Sequence, residues 1–270
     1  MNISKNIGFI GGGRMGEAII KGILQANLVN ADQILVMEPD RERRTLLSEQ
    51  YGIAVYDQLE AVWSDCGIVL LAVKPQIMGQ VLAENKKMIS KDHLLISIAA
   101  GITLAFLEQH TPKRSRIIRV MPNTPALVLE AASALSGGIN ATGNDMEQAT
   151  SIFEAIGKVV VVEEPLLDAV TGLSGSGPAY VFTFLEALID AGLRVGLSRP
   201  VAETLVYQTV LGSTKLAMTS GEHPAQLRAM VTSPGGTTIA GLHELESAGF
   251  NGIIMDAVEA ATRRSLELGK

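Results

Sequence analysis

The chain has 270 residues, of which 47% are hydrophobic and 19% are charged, and its formal net charge is −6. This composition is that of an ordinary globular protein, and the length suits two domains better than one. The acidic excess is shared between residues 1–164, with 15 basic and 18 acidic side chains, and residues 165–270, with 7 and 10. Neither part has the basic excess that nucleic-acid binding requires, so no nucleic-acid partner is expected.

The single cysteine, Cys66, cannot form an internal disulfide, and it precedes an apolar run from Gly67 to Leu71. We interpret it as a small core thiol in a reducing cytoplasm rather than as a nucleophile. The first residues lack the pattern of a secretory signal, and no apolar run approaches the ~20 residues that cross a membrane. The sequence therefore predicts a cytoplasmic protein without a membrane partner.

A glycine-rich segment follows the first apolar run, and Gly11, Gly13 and Gly16 occupy the positions of a G-x-G-x-x-G motif. In dinucleotide-binding folds these glycines permit a tight turn, close approach of the backbone to a pyrophosphate, and close packing of helix on strand. The N–H groups at the helix start then face the phosphate charge. A tight strand-to-helix connection without a ligand is the alternative. The cofactor-binding residues predicted here are Ile10, Gly11, Gly12, Gly13, Arg14, Met15 and Gly16.

Short apolar runs alternate with amphipathic segments through residues 1–164, which predicts an α/β domain with a doubly wound parallel sheet. Helices are expected after the glycines, at Arg41–Gln50 and near Asp145–Ile156. The strands expected after the first, Ile7–Ile10, are Gln33–Glu38, Gly67–Val73, Leu94–Ile98, Ile117–Met121, Ala132–Ser136 and Lys158–Val162.

Glu38 lies at the end of the second predicted strand, 22 positions after Gly16. An acidic residue about this far along accepts the adenosine ribose hydroxyls and repels a 2′-phosphate, which favours NAD. Arg41, Arg43 and Arg44 follow closely, and they could bind that phosphate or form a solvated helix face. The residues alone leave the cofactor preference open.

Three loops fall at the carboxyl ends of predicted strands, where doubly wound folds bind ligands. Lys74 is predicted to hydrogen-bond the nicotinamide ribose, or else to be a surface lysine. Asn123 lies between two prolines and is predicted to contact the nicotinamide, although turn chemistry alone would also explain it. The cofactor-binding candidates in these loops are Ala72, Val73, Lys74, Pro75, Ala100, Gly101, Met121 and Asn123.

Strand-like runs stop near Glu163-Glu164-Pro165 and helical periodicity continues beyond, so we place a domain boundary between residues 164 and 165. Apolar helices without strands would struggle to cover themselves, which suggests a homodimer with intertwined helices. The small residues of Gly172–Ala179 would let another helix or subunit approach, whereas a phosphate loop would need a lysine after its last glycine. Helices are expected at Tyr180–Ile189, Pro200–Thr219, Pro224–Met230, Thr238–Glu246 and Gly252–Leu268.

The segment Ser233–Thr238 combines hydroxyls with paired glycines immediately before a helical pattern. Thr237 or Thr238 could be the N-cap of that helix. Backbone N–H groups and hydroxyls at a helix start would also bind a carboxylate, and this interpretation gives the glycines a purpose. The four histidines, His93, His110, His223 and His243, have no metal-ligand spacing, so structural or surface roles and no metal are predicted.

Together these segments resemble those of the pyrroline-5-carboxylate reductases, which catalyse the last step of proline biosynthesis. The similarity extends over essentially the whole chain. It is carried by Gly8–Gly16, Ala72–Pro75, Ala99–Gly101 and Val120–Pro125, and above all by Asp168–Tyr180 and Ser233–Thr238.

The resemblance implies a Rossmann domain at residues 1–164. It also implies an all-α dimerisation domain at residues 165–270, similar to the C-terminal domain of 6-phosphogluconate dehydrogenase. A homodimer through the helical domain, or a higher homo-oligomer, would reduce the cyclic imine 1-pyrroline-5-carboxylate to L-proline with hydride from NAD(P)H. The nicotinamide of one subunit would face substrate held largely by the helical domain near the subunit interface.

The resemblance also assigns roles to residues. Ser233 and the backbone of Gly235, Gly236 and Thr237 match positions that bind the substrate carboxylate. Thr238 matches the hydroxyl at the ring nitrogen, so Ser233 and Thr238 are the catalytic candidates. Glu164 matches a position near the bound ring.

The cofactor that the resemblance implies is NADPH. Glu38 and Asp57, however, replace the small polar residue and the asparagine that are common in the family. These two departures make NADH possible as the cofactor.

Two other functions are compatible with a Rossmann turn. The β-hydroxyacid dehydrogenases use a lysine in the first long helix of the second domain, but residues 165–270 contain only Lys215 and Lys270. A nucleotide-sensing protein without turnover would not need the second anion-binding segment, Ser233–Thr238. Both alternatives therefore explain less of the sequence than an imine reductase does.

Overall fold

The computed structural model describes residues 5–269 of the chain. One sheet contains the strands β1 (Ile7–Ile10), β2 (Ile34–Met37), β3 (Ala54–Tyr56), β4 (Ile68–Leu71), β5 (Leu94–Ser97), β6 (Arg116–Met121), β7 (Ala131–Gly137) and β8 (Gly157–Val161). The α-helices are α1 (Arg14–Gln25), α2 (Arg41–Tyr51), α3 (Glu60–Asp65), α4 (Pro75–Asn85), α5 (Leu104–His110), α6 (Gly143–Glu154), α7 (Leu167–Val170), α8 (Gly177–Arg194), α9 (Arg199–Ser220), α10 (Pro224–Met230), α11 (Thr237–Ser247) and α12 (Phe250–Leu268).

Every strand and helix that the sequence predicts is confirmed, although several ends shift by a few residues. Strand β3 was not predicted, and no bounds were predicted for helices α3, α4, α5 and α7. Strand β3 is only three residues long and none of its side chains is fully buried, so it lacks the apolar run by which the other strands are recognised. A π-helical turn, Thr171–Gly175, was also unforeseen.

The sheet order is β3-β2-β1-β4-β5-β6-β7-β8. The first six strands in sequence are parallel and have the order of a Rossmann fold, which confirms the doubly wound sheet. Strand β7 runs antiparallel to β6, and β8 pairs parallel with β7. Ile10 is in register with both Met37 and Leu71, so the carboxyl ends of β1, β2 and β4 meet at one edge.

Alternate residues of the central strands supply two apolar cores. Ile7 and Phe9 point to the core under α1 and α6, whereas Ile10 points to the core under α3, α4 and α5. All four residues of β1 are buried, as are those of β4 and β5. Because side chains alternate along a strand, burial on both faces produces the nearly continuous apolar runs seen in the sequence.

The chain divides into two compact units. One comprises the residues up to Ser176 together with those from Ala260 onward, and the other is Gly177–Glu259. This division follows the π-helical turn, whereas the sequence-based boundary at residues 164 and 165 stays a prediction. In the part of the chain that the structure describes, no helix is long and apolar enough to span a bilayer.

The smaller unit buries little of its apolar surface. Its fully buried hydrophobic residues are Ile189 on α8 and Ala202 on α9. Helices α8 and α9 pack closely, because a Cβ at Gly192 would lie 2.9 Å from that of Ala202. Large apolar side chains such as Phe182, Leu205 and Met255 remain exposed.

Two side chains at the amino ends of the strands have structural roles, as predicted. Burial raises the pKa of the Cys66 thiol to about 12, with the nearby charge of Asp65 adding to the effect, so the thiolate is disfavoured. His93 is 6% exposed, and its Nδ1 accepts a hydrogen bond from Ser90 N at 3.0 Å. Its Nε2 lies 3.0 Å from the carbonyl oxygen of Trp63 and donates to it, which fixes the neutral ring.

We expect His93 to make the free energy of unfolding depend on pH. Burial lowers the pKa of His93 below its ordinary value of 6.5. The His93 ring therefore binds a proton less readily in the folded protein than in the unfolded chain. Stability that is present above pH 6.5 is therefore lost as the pH falls toward the lowered pKa of the folded state.

Urea unfolding at about pH 8 and about pH 5 measures this loss. His93→Gln should show a smaller difference between the two conditions than the unchanged protein. The control His243→Gln removes an exposed ring and should keep the original difference. Equal pH dependence in all three proteins would contradict the assignment.

Candidate functional site

The glycine loop after β1 has the geometry that a bound pyrophosphate requires. Gly11 has a φ of +103°, and a Cβ there would lie 2.7 Å from the carbonyl oxygen of Ala72. A Cβ at Gly16 would lie 2.8 Å from the carbonyl oxygen of Gly11, so the helix start needs glycine as well. At Gly13, the N-cap of α1, the Cβ position is open and no side chain caps the helix. The free N–H groups of α1 therefore suit a phosphate.

The other predicted cofactor-binding loops lie at the same sheet edge. Gly11 N donates to Met37 O at 2.8 Å, and Ala72 N donates to Ile10 O at 2.9 Å, which joins the ends of β2, β1 and β4. Lys74 is the exposed N-cap of α4, and Pro75 is the first residue of that helix. The residues that complete this edge are Val73 after β4, Ala100 and Gly101 after β5, and Met121 at the end of β6.

Glu38 faces the glycine loop. Its Oε2 accepts a hydrogen bond from Gly12 N at 2.8 Å, and its Oε1 accepts one from Asp40 N at 3.0 Å. A carboxylate so placed, at the end of β2 and beside the loop, can accept ribose hydroxyls. Ribose binding by Glu38 stays a prediction.

The arginines after Glu38 are engaged with the protein. Arg43 Nε donates to Gly12 O at 2.7 Å, and Arg43 Nη2 forms an ion pair with Glu17. Arg44 donates to the carbonyl oxygens of Glu38 and Pro39 at 2.9 and 2.8 Å. Arg43 and Arg44 are therefore not merely solvent-exposed side chains on the surface of α2.

Asp57, which follows β3, lies beside these arginines. Its Oδ2 is 3.8 Å from Arg44 Nη2, and its side chain is 65% exposed. The structure thus brings Asp57 to the adenosine end of the predicted site.

Sequence reasoning missed the importance of Glu17. This residue lies in the first turn of α1 and accepts hydrogen bonds from both Arg43 and the Tyr51 hydroxyl, the latter at 2.9 Å. An acidic residue in a first helical turn is an ordinary favourable choice for the helix dipole, so no sequence pattern indicated this contact.

Both ends of the Asn123 amide bind the protein. Nδ2 donates to Ser174 O at 3.0 Å, and Oδ1 accepts from Ala132 N at 2.9 Å. Asn123 is 9% exposed and holds the π-helical turn against β7. The structural role that the sequence allowed is therefore present, while contact with a nicotinamide stays a prediction.

Glu164 is also bound within the larger unit. Its Oε1 accepts hydrogen bonds from Leu104 N at 2.6 Å and from Arg119 Nη1 at 3.0 Å. The Arg119 side chain is 5% exposed, so Glu164 compensates a buried charge and caps the start of α5. These contacts fix the end of the loop that contains Ala100 and Gly101. The predicted contact of Glu164 with substrate is not tested by them.

The second predicted anion site, in the smaller unit, lies at the start of α11. Gly236 is the N-cap, so the alternative with Thr237 or Thr238 in that position is wrong. Gly235 has a φ of +67°, and a Cβ at Gly236 would collide with the Ser233 hydroxyl. No side chain caps α11, so the first N–H groups of the helix can bind a carboxylate beside the Ser233 and Thr238 hydroxyls.

The remaining histidines have structural or surface positions. His223 Nδ1 accepts from Ala225 N at 3.2 Å at the start of α10, and His110 stacks on Phe106. His243 is exposed. Residues 5–269 contain no group of three histidine, cysteine, aspartate or glutamate side chains that could hold a metal ion.

Comparison with known proteins matches both parts of the chain. A family model described as pyrroline-5-carboxylate reductase dimerisation matches residues 164–268, and one described as NADP oxidoreductase, coenzyme F420-dependent, matches residues 6–101. Pyrroline-5-carboxylate reductase from Methanosarcina acetivorans is 45% identical over 267 residues, which cover 99% of each chain. The chain belongs to the pyrroline-5-carboxylate reductase family. The resemblance inferred from its motifs is therefore confirmed.

Solved structures of the reductase family share the whole fold. The pyrroline-5-carboxylate reductase of Coxiella burnetii has a TM-score of 0.94 and 36% identity, and the match covers 99% of this chain and 100% of that one. The Plasmodium falciparum enzyme, solved with NADP bound, has a TM-score of 0.90 and 36% identity over 100% of both chains. The chain is an NAD(P)H-dependent oxidoreductase with a Rossmann fold followed by the helical region of this family.

Asn123→Ala should destabilise the reductase, because it leaves the Ala132 N–H and the Ser174 carbonyl without their partner. Each hydrogen bond contributes about 0.5–1.5 kcal/mol net, so loss of both should lower the free energy of unfolding in urea by about 1–3 kcal/mol. Asn144→Ala, at an exposed position in α6, is the matched control and should be nearly neutral. An unchanged free energy of unfolding in Asn123→Ala would show that the two hydrogen bonds of the Asn123 amide do not stabilise the fold.

Proposed function

We propose that this chain reduces 1-pyrroline-5-carboxylate to L-proline in the last step of proline biosynthesis, and that it does so in the cytoplasm. The observation that carries this proposal is the similarity to the Methanosarcina enzyme, which is 45% identical over 267 residues and spans 99% of both chains. Residues 1–164 are the dinucleotide-binding domain in this proposal, and residues 165–270 are the substrate-binding and dimerisation domain.

The glycine loop fits a nicotinamide dinucleotide. Gly13 leaves space at an uncapped helix start, and Glu38 lies within hydrogen-bond distance of the same loop. The residues that would hold the dinucleotide are Ile10 to Gly16, Glu38, Asp57, Ala72 to Pro75, Ala100, Gly101, Met121 and Asn123. When bound, the reduced dinucleotide supplies the hydride.

The substrate site works without a titrating side chain. Ser233 and the backbone N–H groups near Gly235, Gly236 and Thr237 bind the substrate carboxylate, and Thr238 places its hydroxyl at the ring nitrogen. A protonated imine already has an electrophilic carbon, so the residues need to orient the ring rather than deliver a strong acid. Neutral donors hold the carboxylate without cancelling the positive charge of the iminium.

Thr238→Ala tests this assignment. The purified protein should consume NADH or NADPH when pyrroline-5-carboxylate is added, as followed by loss of the dihydronicotinamide absorbance. Loss of the Thr238 hydroxyl should lower kcat/KM by roughly tenfold or more, because a hydrogen bond to a charged group contributes about 1.5–3 kcal/mol. Dinucleotide affinity should stay nearly unchanged.

The control is Thr219→Ala, which removes an exposed hydroxyl near the end of α9. It should leave the kinetics unaltered. Absence of any turnover in the unchanged protein would overturn the proposed reaction, whereas full activity of Thr238→Ala would overturn only the role of that hydroxyl. Activity on a β-hydroxyacid instead would favour the dehydrogenase alternative.

Two copies of the chain associate through the helical region in this proposal. The dimerisation model matches residues 164–268, and the unit Gly177–Glu259 leaves many large apolar side chains exposed. Exposed apolar surface of this extent on helices indicates an interface. A homodimer, or a higher homo-oligomer built from dimers, would remove it from water.

Sedimentation at micromolar concentration should therefore show a dimer or a larger species. Leu211→Glu places a charge on the exposed apolar surface of α9 and should shift the sedimentation toward the monomer. Ser213→Glu adds the same charge at an exposed position on the opposite side of that helix and is the control. A monomer in the unchanged protein would refute the proposed assembly.

A further inference from the structure

We propose that this reductase prefers NADH to NADPH. Glu38 lies on the ribose side of the glycine loop, and the ion pair between Glu17 and Arg43 makes Arg43 unavailable to a 2′-phosphate. The inference rests on the proposed function in one respect only, namely that the chain binds a nicotinamide dinucleotide at this loop. NADP is bound in the related Plasmodium structure, so a preference for NADH would be a property of this chain's own residues.

The Glu38 carboxylate is oriented by two backbone donors. Gly12 N and Asp40 N hold its two oxygens at 2.8 and 3.0 Å, which keeps the group beside the loop. An ionised carboxylate has further lone pairs that can accept ribose hydroxyls. A 2′-phosphate in the same place would add one anion to another, which is unfavourable at this separation.

Arg43 would be the natural partner of a 2′-phosphate, but its charge is already balanced. Its Nε donates to Gly12 O, and its Nη2 contacts Glu17. The Arg43 and Glu17 side chains are only 23% and 21% exposed, so water screens the pair weakly. Binding a phosphate through Arg43 would require breaking this pair or placing a second anion against it.

Glu17 is held in its charged form. Burial alone would raise its pKa, but hydrogen bonds from Arg43 and Tyr51 outweigh that effect, and the pKa of Glu17 is lowered from 4.5. The Tyr51 hydroxyl contributes as a donor, and burial together with the Glu17 carboxylate raises the pKa of Tyr51 to about 12. Near neutral pH the network therefore contains a carboxylate, a guanidinium and a phenol.

The other two arginines give NADPH less support. Arg44 donates to the carbonyl oxygens of Glu38 and Pro39 and lies 3.8 Å from Asp57, which directs it along the backbone. Arg41 is exposed at the start of α2 and could still contact a 2′-phosphate. We therefore expect a preference rather than complete exclusion of NADPH.

The first test measures binding without the imine substrate. Titration with NADH and with NADPH, followed by dihydronicotinamide fluorescence, should give a Kd for NADH lower by roughly tenfold or more, as expected for an unfavourable contact between partly buried charges. A Kd for NADPH equal to or below that for NADH would overturn the inference. Failure of both dinucleotides to bind would overturn the inference and the proposed function together, whereas loss of the preference alone would leave the function standing.

Variants then locate the determinants. Glu17→Gln keeps the shape of the side chain but releases the charge of Arg43, so the Kd for NADPH should fall several-fold while that for NADH changes little. Glu38→Ser should raise the Kd for NADH and lower that for NADPH, and it remains informative if Glu17→Gln does not fold.

Glu49→Gln removes one exposed negative charge from the distal half of α2 and is the control for net charge. A Glu17→Gln protein with the same ratio of dissociation constants as Glu49→Gln would exclude Glu17 as a determinant, and an unchanged ratio in Glu38→Ser would exclude Glu38.

Discussion

Helices α1 and α11 each have a glycine as the N-cap residue, and no side chain satisfies their first N–H groups. Helix α1 starts after Gly13 and α11 starts after Gly236. Most helices obtain a Ser, Thr, Asp or Asn oxygen at this position, so two uncapped starts leave donors that an anion can satisfy. The dinucleotide site and the proposed carboxylate site both depend on this constraint, and each glycine also avoids a collision or leaves open space that a Cβ would fill.

Charge is distributed differently in the two sites. Beside the glycine loop, a connected set of hydrogen bonds joins four charged side chains, Glu17, Glu38, Arg43 and Arg44. The segment Ser233–Thr238 instead offers hydroxyls and backbone N–H groups. This contrast follows from the chemistry, because discrimination between ribose forms depends on fixed charge, whereas an iminium substrate needs orientation and already carries its own positive charge.

The larger unit supports its site with buried polar contacts rather than with glycine alone. Asn123 joins β7 to the π-helical turn, and Glu164 joins the buried Arg119 to the start of α5. Removal of Glu164 would leave the buried Arg119 charge unpaired, and removal of Asn123 would break two hydrogen bonds. Both positions are therefore constrained by the fold as well as by any contact with ligand. The smaller unit lacks a comparable core of its own, which is why a second copy enters the proposed function.

The sequence by itself determined the Rossmann sheet, the helical second half and the glycine loop, because hydrophobic periodicity depends on burial and the glycine spacing on a backbone constraint. It indicated the family through the resemblance of its motifs, above all Asp168–Tyr180 and Ser233–Thr238. It placed Glu38 directly after β2, at the edge of the sheet where the glycine loop lies. It did not reveal β3, whose residues are too few and too exposed to give a pattern, nor the Gly236 N-cap, since threonines nearby were equally plausible caps. Only the tertiary structure decided that Arg43 pairs with Glu17, 26 positions away, and that Asn123 binds Ser174 and Ala132. These contacts depend on how separate helices and strands pack and on which side-chain conformers then reach each other. Local residue patterns predict neither the packing nor the conformers.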